Sequence, residues 1–320
     1  MFDPEVLPAG AVSLRYGENP QQRGFFVPLA CDEPLALWRF EQICGPALSY
    51  TNYLDADGAL FALAQLGAER PACAIVKHAT PCGAARGQTI EAAYERAWAG
   101  DPVAAYGCAL AVNRPVTAAL AERMMRGRVV HLLLCPAVEG AALPALQRRA
   151  SLRVLANPAL REVHAPIGRE WRTVRGGLLV QEPYGGRLEP ERLRVVTAKR
   201  PSEDAWEDIR LAWGLATATR SNAVVLVKDG MLLGAGAGQQ DRLSGCRLAV
   251  AKAGERAHGA VAASDGSFPF ARGDAVEALT EAGVAIVVQP GGARRDQEAI
   301  DLCDERGVAM LFTGVRGFRH

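Results

Sequence analysis

Residues 54–77 read LDADGALFALAQLGAERPACAIVK, and this stretch decides the fold class. Its first part, 54–67, reads as a helix; its last, PACAIVK at 71–77, reads as a short buried strand. A helix followed by a buried strand is the unit of a layered α/β protein. Outward from this unit the alternation continues. EAAYERAWAG (91–100) reads as a helix ended by Gly100, followed by a strand at 107–113. A helix is expected at 118–127, and VVHLLLCP (129–136) is a strand that stops at a proline. LPALQRRA and SLRVLAN repeat helix and strand. The polar, Pro- and Gly-rich passage 166–193 reads as an inter-domain segment. The second half then repeats the rhythm. A helix covers about 202–219, and 222–238 form a hairpin around Asp229-Gly230. CRLAVAKAGERA, AVEALTEAG and DQEAIDLCDERG read as helices; VAASD, VAIVVQPGG and VAMLFTG supply the strands between and after them. The chain carries no short-period repeat, low-complexity tract or coiled coil.

A length of 320 residues suits about two domains and a core that needs no disulfide or metal. Apolar residues make up 49% and charged residues 22%, values of a folded chain rather than a disordered one. The net charge of +1 excludes binding to a polyanion by bulk charge and leaves room for a local basic pocket. No run of about 18 apolar residues occurs, and MFDPEVLPAG lacks a basic-then-apolar leader pattern. A cytoplasmic protein is therefore expected, with neither membrane nor nucleic acid as partner. None of the eight cysteines forms C-x-x-C, so all read as reduced, mostly core residues. His78-Ala-Thr-Pro-Cys82 faintly resembles a zinc-deaminase motif. It lacks the Glu two residues after the His and the second Cys three after Cys82, so no metal is expected.

Basic residues are overwhelmingly Arg; the only lysines are Lys77, Lys199, Lys228 and Lys252. Lys77 and His78 end a buried strand, before a turn assigned to Pro81 and Gly83. Desolvating either charge is costly, so the pair is either a solvated strand end or a working site. A neutral His there can act as a general base, and an ammonium beside it can stabilise an oxyanion or protonate a leaving group. Leu14 to Gln22, LRYGENPQQ, is dense in hydrogen-bonding groups; Arg15 can clamp an anion and Tyr16 can pack on a ring. Ser221-Asn222 opens the second-half hairpin, and GAGAGQQDR (234–242) closes it, matching neither a Rossmann fingerprint nor a P-loop. SDGSFPF (264–270), QPGG (289–292) and the terminal FTGVRGFRH (312–320) complete the set; so many aromatic and Arg residues suggest a docked rather than a frayed terminus.

Taken in order, LRYGENPQQ, SYTNYLDADGAL, AYERAWAGDPVAAYG, VRGGLLVQ, SNAVVLVKDG, GAGAGQQDR, QPGGARRD and FRH resemble the formyltransferase half of the bifunctional purine-biosynthesis enzyme. The resemblance runs from residue 14 to 320. It implies two cytidine-deaminase-like, three-layer α/β/α subdomains without zinc, taken as 1–180 and 181–320, and a homodimer with active sites at the subunit interface. The implied reaction moves a formyl group from 10-formyltetrahydrofolate, a co-substrate, to 5-aminoimidazole-4-carboxamide ribonucleotide (AICAR). Lys77 and His78 match the catalytic pair. Arg15, Tyr16, Gly107, His131, Asn222, Arg242, Ser267 and Arg316 match substrate-binding positions. Leu243, Asp274, Ala293 and Arg294 fall where folate contacts are expected. Four of the family's usual residues differ: Ala104 replaces a Ser, His131 an acidic residue, Ser267 an aromatic and Ala293 a Ser. Either the pocket is rebuilt around AICAR or a related aminocarboxamide nucleotide is the acceptor; a non-catalytic nucleotide-binding homologue is a third reading. The matching run opens at Leu14, with too little chain before it for the family's cyclohydrolase domain, so ring closure is not expected of this chain.

Overall fold

The computed structural model describes Leu7 and residues 10–320. Most of the N-terminal stretch scanned for a leader lies outside the described residues. A small antiparallel pair, β1 (Val12–Ser13) and β2 (Phe25–Phe26), precedes the main body. The first half then runs β3 (Glu41–Cys44), α1 (Tyr50–Leu66), β4 (Ala72–Lys77), β5 (Thr80–Arg86), α2 (Ile90–Gly100), β6 (Cys108–Val112), α3 (Ala118–Met125), β7 (Val130–Cys135), α4 (Leu143–Gln147) and β8 (Arg153–Ala156). A separate hairpin, β9 (Glu170–Val174) and β10 (Gly177–Gln181), follows with every residue exposed. The second half runs β11 (Arg194–Val195), α5 (Ala205–Ala218), β12 (Val224–Lys228), β13 (Met231–Gly236), α6 (Arg242–Ala253), β14 (Val261–Ser264), α7 (Ala275–Glu281), β15 (Ile286–Gln289), α8 (Asp296–Glu305) and β16 (Ala309–Phe312).

Twelve strands join in one mixed sheet, in the order β11-β16-β15-β14-β12-β13-β5-β4-β6-β7-β8-β3. Read outward from the centre, the two halves are the same: a hairpin, three mutually parallel strands, then a short antiparallel edge strand. The halves meet where β13 runs antiparallel to β5, with Met231 opposite Ala85. This antiparallel meeting puts the turn between β4 and β5 at one edge of the sheet and the turn between β12 and β13 at the other.

Helices cover both faces, which makes a three-layer α/β/α fold. One face carries α1 and α5 over a core that draws on both halves, from Leu60, Leu63 and Val76 to Trp213, Leu215, Val225 and Val288. On the other face α2, α3 and α4 cover the first half, and α6, α7 and α8 the second. Strand alternation explains the sorting: Ala72, Ala74 and Val76 point to the α1 side, Cys73 and Ile75 to the α2 side. Each fully buried Val, Leu or Ile in these layers contributes roughly 1.5–3 kcal/mol. Six of the cysteines are buried among them and all eight are unpaired.

Two expectations are corrected. The helix expected from residue 54 begins at Tyr50, because Ser49 caps it. The Ser49 hydroxyl accepts from Asn52 N at 3.4 Å, and the Asn52 side chain accepts from Ser49 N at 3.0 Å. Pro81 and Gly83 do not form the turn after Lys77; they lie within β5, and His78-Ala79 are the turn. Pro81 is tolerated because the β4–β5 register shifts at Ile75/Val76, beside it. Gly83 is required by close approach, since a Cβ there would lie 2.1 Å from Ala97 O on α2. The segment 166–193 holds the β9–β10 hairpin. No helix among the described residues is long and apolar enough to cross a membrane.

Candidate active site

Strand direction gathers the sequence-predicted residues at one edge of the sheet. The β4–β5 turn lies there, with the starts of β6, β7 and β8. The start of β12 and the ends of β14, β15 and β16 join them from the second half. Lys77 ends β4, and its Nζ donates to Tyr106 O at 2.8 Å and Gly107 O at 3.0 Å. An ammonium has three donors, so one remains for a ligand. Gly107 has φ +72°, and a Cβ on it would lie 3.2 Å from Lys77 Nζ and 3.2 Å from His131 Cε1. Lys77, Gly107 and His131 are therefore packed side by side. Partial burial first, then the charges of Lys77, Arg153 and Arg149, hold the His131 imidazole below its ordinary value, against the opposing charge of Asp55.

His78 and Ala79 both occupy the left-handed region, at φ +52° and +56°. Without glycine this costs roughly 1–2 kcal/mol per residue, the kind of strain found where a side chain must be aimed. Asp55 on α1 answers it: its Oδ1 accepts from Ala79 N at 2.7 Å. Burial raises the Asp55 carboxyl, opposed by this hydrogen bond and by the charges of His78, Lys77 and His131. Sequence reasoning assigned Asp55 no role, although LDADG contains it; the signal was an acid one helix-to-strand step from Lys77-His78.

Arg15 and Tyr16 sit in the loop joining β1 to β2, Arg15 exposed with its guanidinium 5.6 Å from the Tyr16 ring centroid. The loop is anchored by Leu14 N to Gly24 O at 2.9 Å, and Phe26 stacks on Tyr53 of α1 at 4.3 Å. Arg153, at the start of β8, is buried at 8% exposure and donates to Ala47 O and Ser151 O. Burial first, then the charge of Arg15, lowers the Arg153 pKa, and Arg153 lowers that of His131, so a chain of cations runs from the loop to Lys77.

The second-half residues form their own cluster around Asp265, which follows β14 and is fully buried. Arg242 Nη1 donates to Asp265 Oδ1 at 2.6 Å and to Ser264 Oγ at 2.9 Å. Ser221 Oγ donates to Asp265 Oδ2, and Ala223 N to Oδ1 at 3.1 Å, so Asn222 is flanked by two groups fixed on one carboxylate. Phe318 lies between Arg242 and Arg316, with guanidinium carbons 5.6 Å and 5.1 Å from its ring centroid. Gly266 allows this packing: a Cβ there would lie 2.1 Å from Arg242 Nη2. The terminus is docked, as its composition suggests. Gly317 N donates to Asp265 O at 2.9 Å, and Arg319 reaches the first half, 3.1 Å from Asp57 Oδ2 and 4.3 Å over Phe61.

The remaining expected positions are less closely tied. Ser267 is half-buried beside Gly266, and Leu243 follows Arg242 in α6. Asp274 caps α7, accepting from Ala275 N at 2.7 Å. Ala293 is half-buried and Arg294 exposed in the loop after β15. Among the described residues no group of three or more His, Cys, Asp or Glu side chains is placed to hold a metal ion. The arrangement supplies an imidazole, a carbonyl-anchored ammonium and several cations around one sheet edge, a setting for proton transfer on an anionic ligand.

A family model described as AICARFT/IMPCHase bienzyme matches residues 6–252. The bifunctional purine biosynthesis protein PurH of Anoxybacillus flavithermus is 39% identical over 312 residues, covering 96% of this chain and 59% of that protein. PurH of Xylella fastidiosa is 41% identical over 311 residues, covering 96% of this chain and 58% of that protein. PurH of Bacillus cereus is 40% identical over 309 residues, with coverage of 96% and 59%. The chain thus spans less than two thirds of the curated relatives it matches. With a family match over most of its length and relatives of this identity covering nearly all of it, the chain belongs to the AICARFT/IMPCHase bienzyme family of purine biosynthesis.

Proposed function

We propose that this chain transfers a formyl group from 10-formyltetrahydrofolate to the 5-amino group of AICAR, acting as a cytoplasmic homodimer. One observation carries the reading: the Lys77 ammonium and the His78 turn share a sheet edge with the Arg242–Arg316 cluster, so proton-transfer groups and anion-binding groups face one region. The reading is supported by the residues that the resemblance matches to formyl transfer, at Arg15, Lys77, His78, Asn222, Arg242 and Arg316.

In the proposed reaction the AICAR amine attacks the formyl carbon and gives a tetrahedral intermediate. The amine proton passes to His78, whose imidazole has a ring nitrogen that can accept it. Lys77, held by two carbonyls, directs its remaining N–H at the oxyanion or at N10 of the folate. The bond from the formyl carbon to N10 then breaks, N10 takes a proton, and formyl-AICAR and tetrahydrofolate leave. Arg15 and Arg316 serve the nucleotide phosphate; Asn222 and Arg242 serve its base and ribose. Leu243, Asp274, Ala293 and Arg294 border the folate.

A second reading has its own observation. His131, beside Lys77, stands where the family resemblance expects a carboxylate. A related aminocarboxamide nucleotide would then be the acceptor. Tetrahydrofolate release from 10-formyltetrahydrofolate, with and without AICAR, tests both. AICAR-dependent release is expected. A folded protein that binds folate yet ignores AICAR would favour the altered acceptor.

A further inference from the structure

The two hairpins at the centre of the sheet carry the same device. In each, a lysine ends the first strand and its Nζ donates to a carbonyl within three residues of the strand that follows the hairpin, β6 or β14. Lys77 reaches Tyr106 O and Gly107 O, and Lys228 reaches His258 O at 3.0 Å. A left-handed glycine stands beside each ammonium, Gly107 at φ +72° and Gly259 at +75°. In each, an aspartate from the helix on the shared face accepts from the turn. Asp208 takes Asp229 N and Gly230 N, both at 2.7 Å, and Asp55 takes Ala79 N at 2.7 Å.

The difference lies in the turn itself. Asp229-Gly230, at φ +53° and +69°, places glycine at the second left-handed position, so that turn forms with little strain. His78-Ala79 adopts the same geometry without a glycine. Gly58, one turn beyond Asp55 on α1, lets the helix press against this strained turn: a Cβ on it would lie 2.7 Å from Ala79 O. A bare turn of this sequence has no reason to stay left-handed, and a relaxed turn would swing His78 away from Lys77.

We infer that Asp55 is a positioning residue: its hydrogen bond to Ala79 N holds the strained turn and thereby fixes where His78 points. This rests on the formyl-transfer reading for its kinetic consequence but not for its geometric one, and the test separates the two. Asp55→Ala is expected to lower kcat about 100-fold with KM within about twofold, the scale of loss from misaligning one reacting group. Asp55→Asn keeps the acceptor and should recover at least tenfold of that loss. The double variant Asp55→Ala/Ala79→Gly should also recover at least tenfold, because glycine removes the left-handed penalty. The His78 Cε1 resonance, followed by NMR on the same proteins, should move in Asp55→Ala and return in the double variant. An Asp55→Ala protein with kcat within threefold of wild type, or one whose His78 resonance is unmoved, overturns the inference. If wild type shows no formyl transfer, the functional reading fails while the resonance still decides the positioning role.

Discussion

Gly107 separates the Lys77 ammonium from the His131 imidazole, with both groups 3.2 Å from where its Cβ would stand. Any side chain there must displace one of them, and the backbone at φ +72° disfavours it as well. Gly107→Ala is therefore expected to cost about 1–2 kcal/mol of stability and to lower kcat/KM by roughly 10–100-fold, consistent with a reacting group moved by about an ångström. Urea unfolding and steady-state kinetics on the same preparation check both.

Removal of the proton-transfer groups gives a sharper result. Lys77→Ala and His78→Ala are each expected to lower kcat by about 10²–10⁴-fold, the range for a positioned acid or base. His78→Ala should unfold at an unchanged temperature, since the residue is exposed. Lys77→Ala leaves Tyr106 O and Gly107 O without their donor and should unfold slightly earlier.

The Arg242–Asp265 pair is structural as well as a candidate for substrate contact. Asp265 is fully buried and Arg242 has 8% of its side chain exposed. Asp265→Ala strands a buried guanidinium and removes the acceptor for Ser221 Oγ and Ala223 N, so a loss of about 3–5 kcal/mol is expected. The urea midpoint measures it. A midpoint close to that of wild type would mean that water or Ser264 replaces the carboxylate.

His131 gives stability a pH dependence whose sign follows from its environment. Its pKa in the folded protein lies below the ordinary 6.5, so the unfolded chain binds more protons as pH falls through that value. Its contribution is full above about pH 6.5 and is lost on acidification toward the lowered folded pKa. His131→Gln should therefore flatten the fall in unfolding temperature on going from neutral to mildly acidic pH. Parallel curves for wild type and variant would exclude this account. Asp55 works in the opposite sense. Raised above its usual 3.8, it contributes stability below that pH and loses it as pH rises, so Asp55→Asn should be the more stable protein near neutrality.

The alternation of helix and strand was legible because the layers bury apolar runs that periodicity detects, and the Asp229-Gly230 hairpin was legible because its turn chemistry is explicit. Strand β5 was not. TPCGAAR has little branched or aromatic content, and Pro81 and Gly83 signal a turn, so the strand is held by its neighbours rather than by its own propensity. His78-Ala79 gave no turn signal either, because neither residue favours the left-handed region it occupies. At the candidate site, Lys77, Gly107 and His131 were named from sequence and are packed together, as are Arg242 and Arg316 through Phe318. Asp55, Asp265 and Arg153 act through hydrogen bonds or charge across distant parts of the chain, which one sequence does not display.

The core beneath α1 and α5 belongs to both halves, and this bears on what happens when the backbone is cut. Arg175-Gly176, at the tip of the exposed β9–β10 hairpin, is open to trypsin. A single nick there severs the covalent path between the halves and leaves their common apolar face intact. The two pieces should migrate apart in denaturing gels yet elute together in native buffer. Expressed separately, they should find each other and rebuild the sheet edge that carries Lys77 and Arg242.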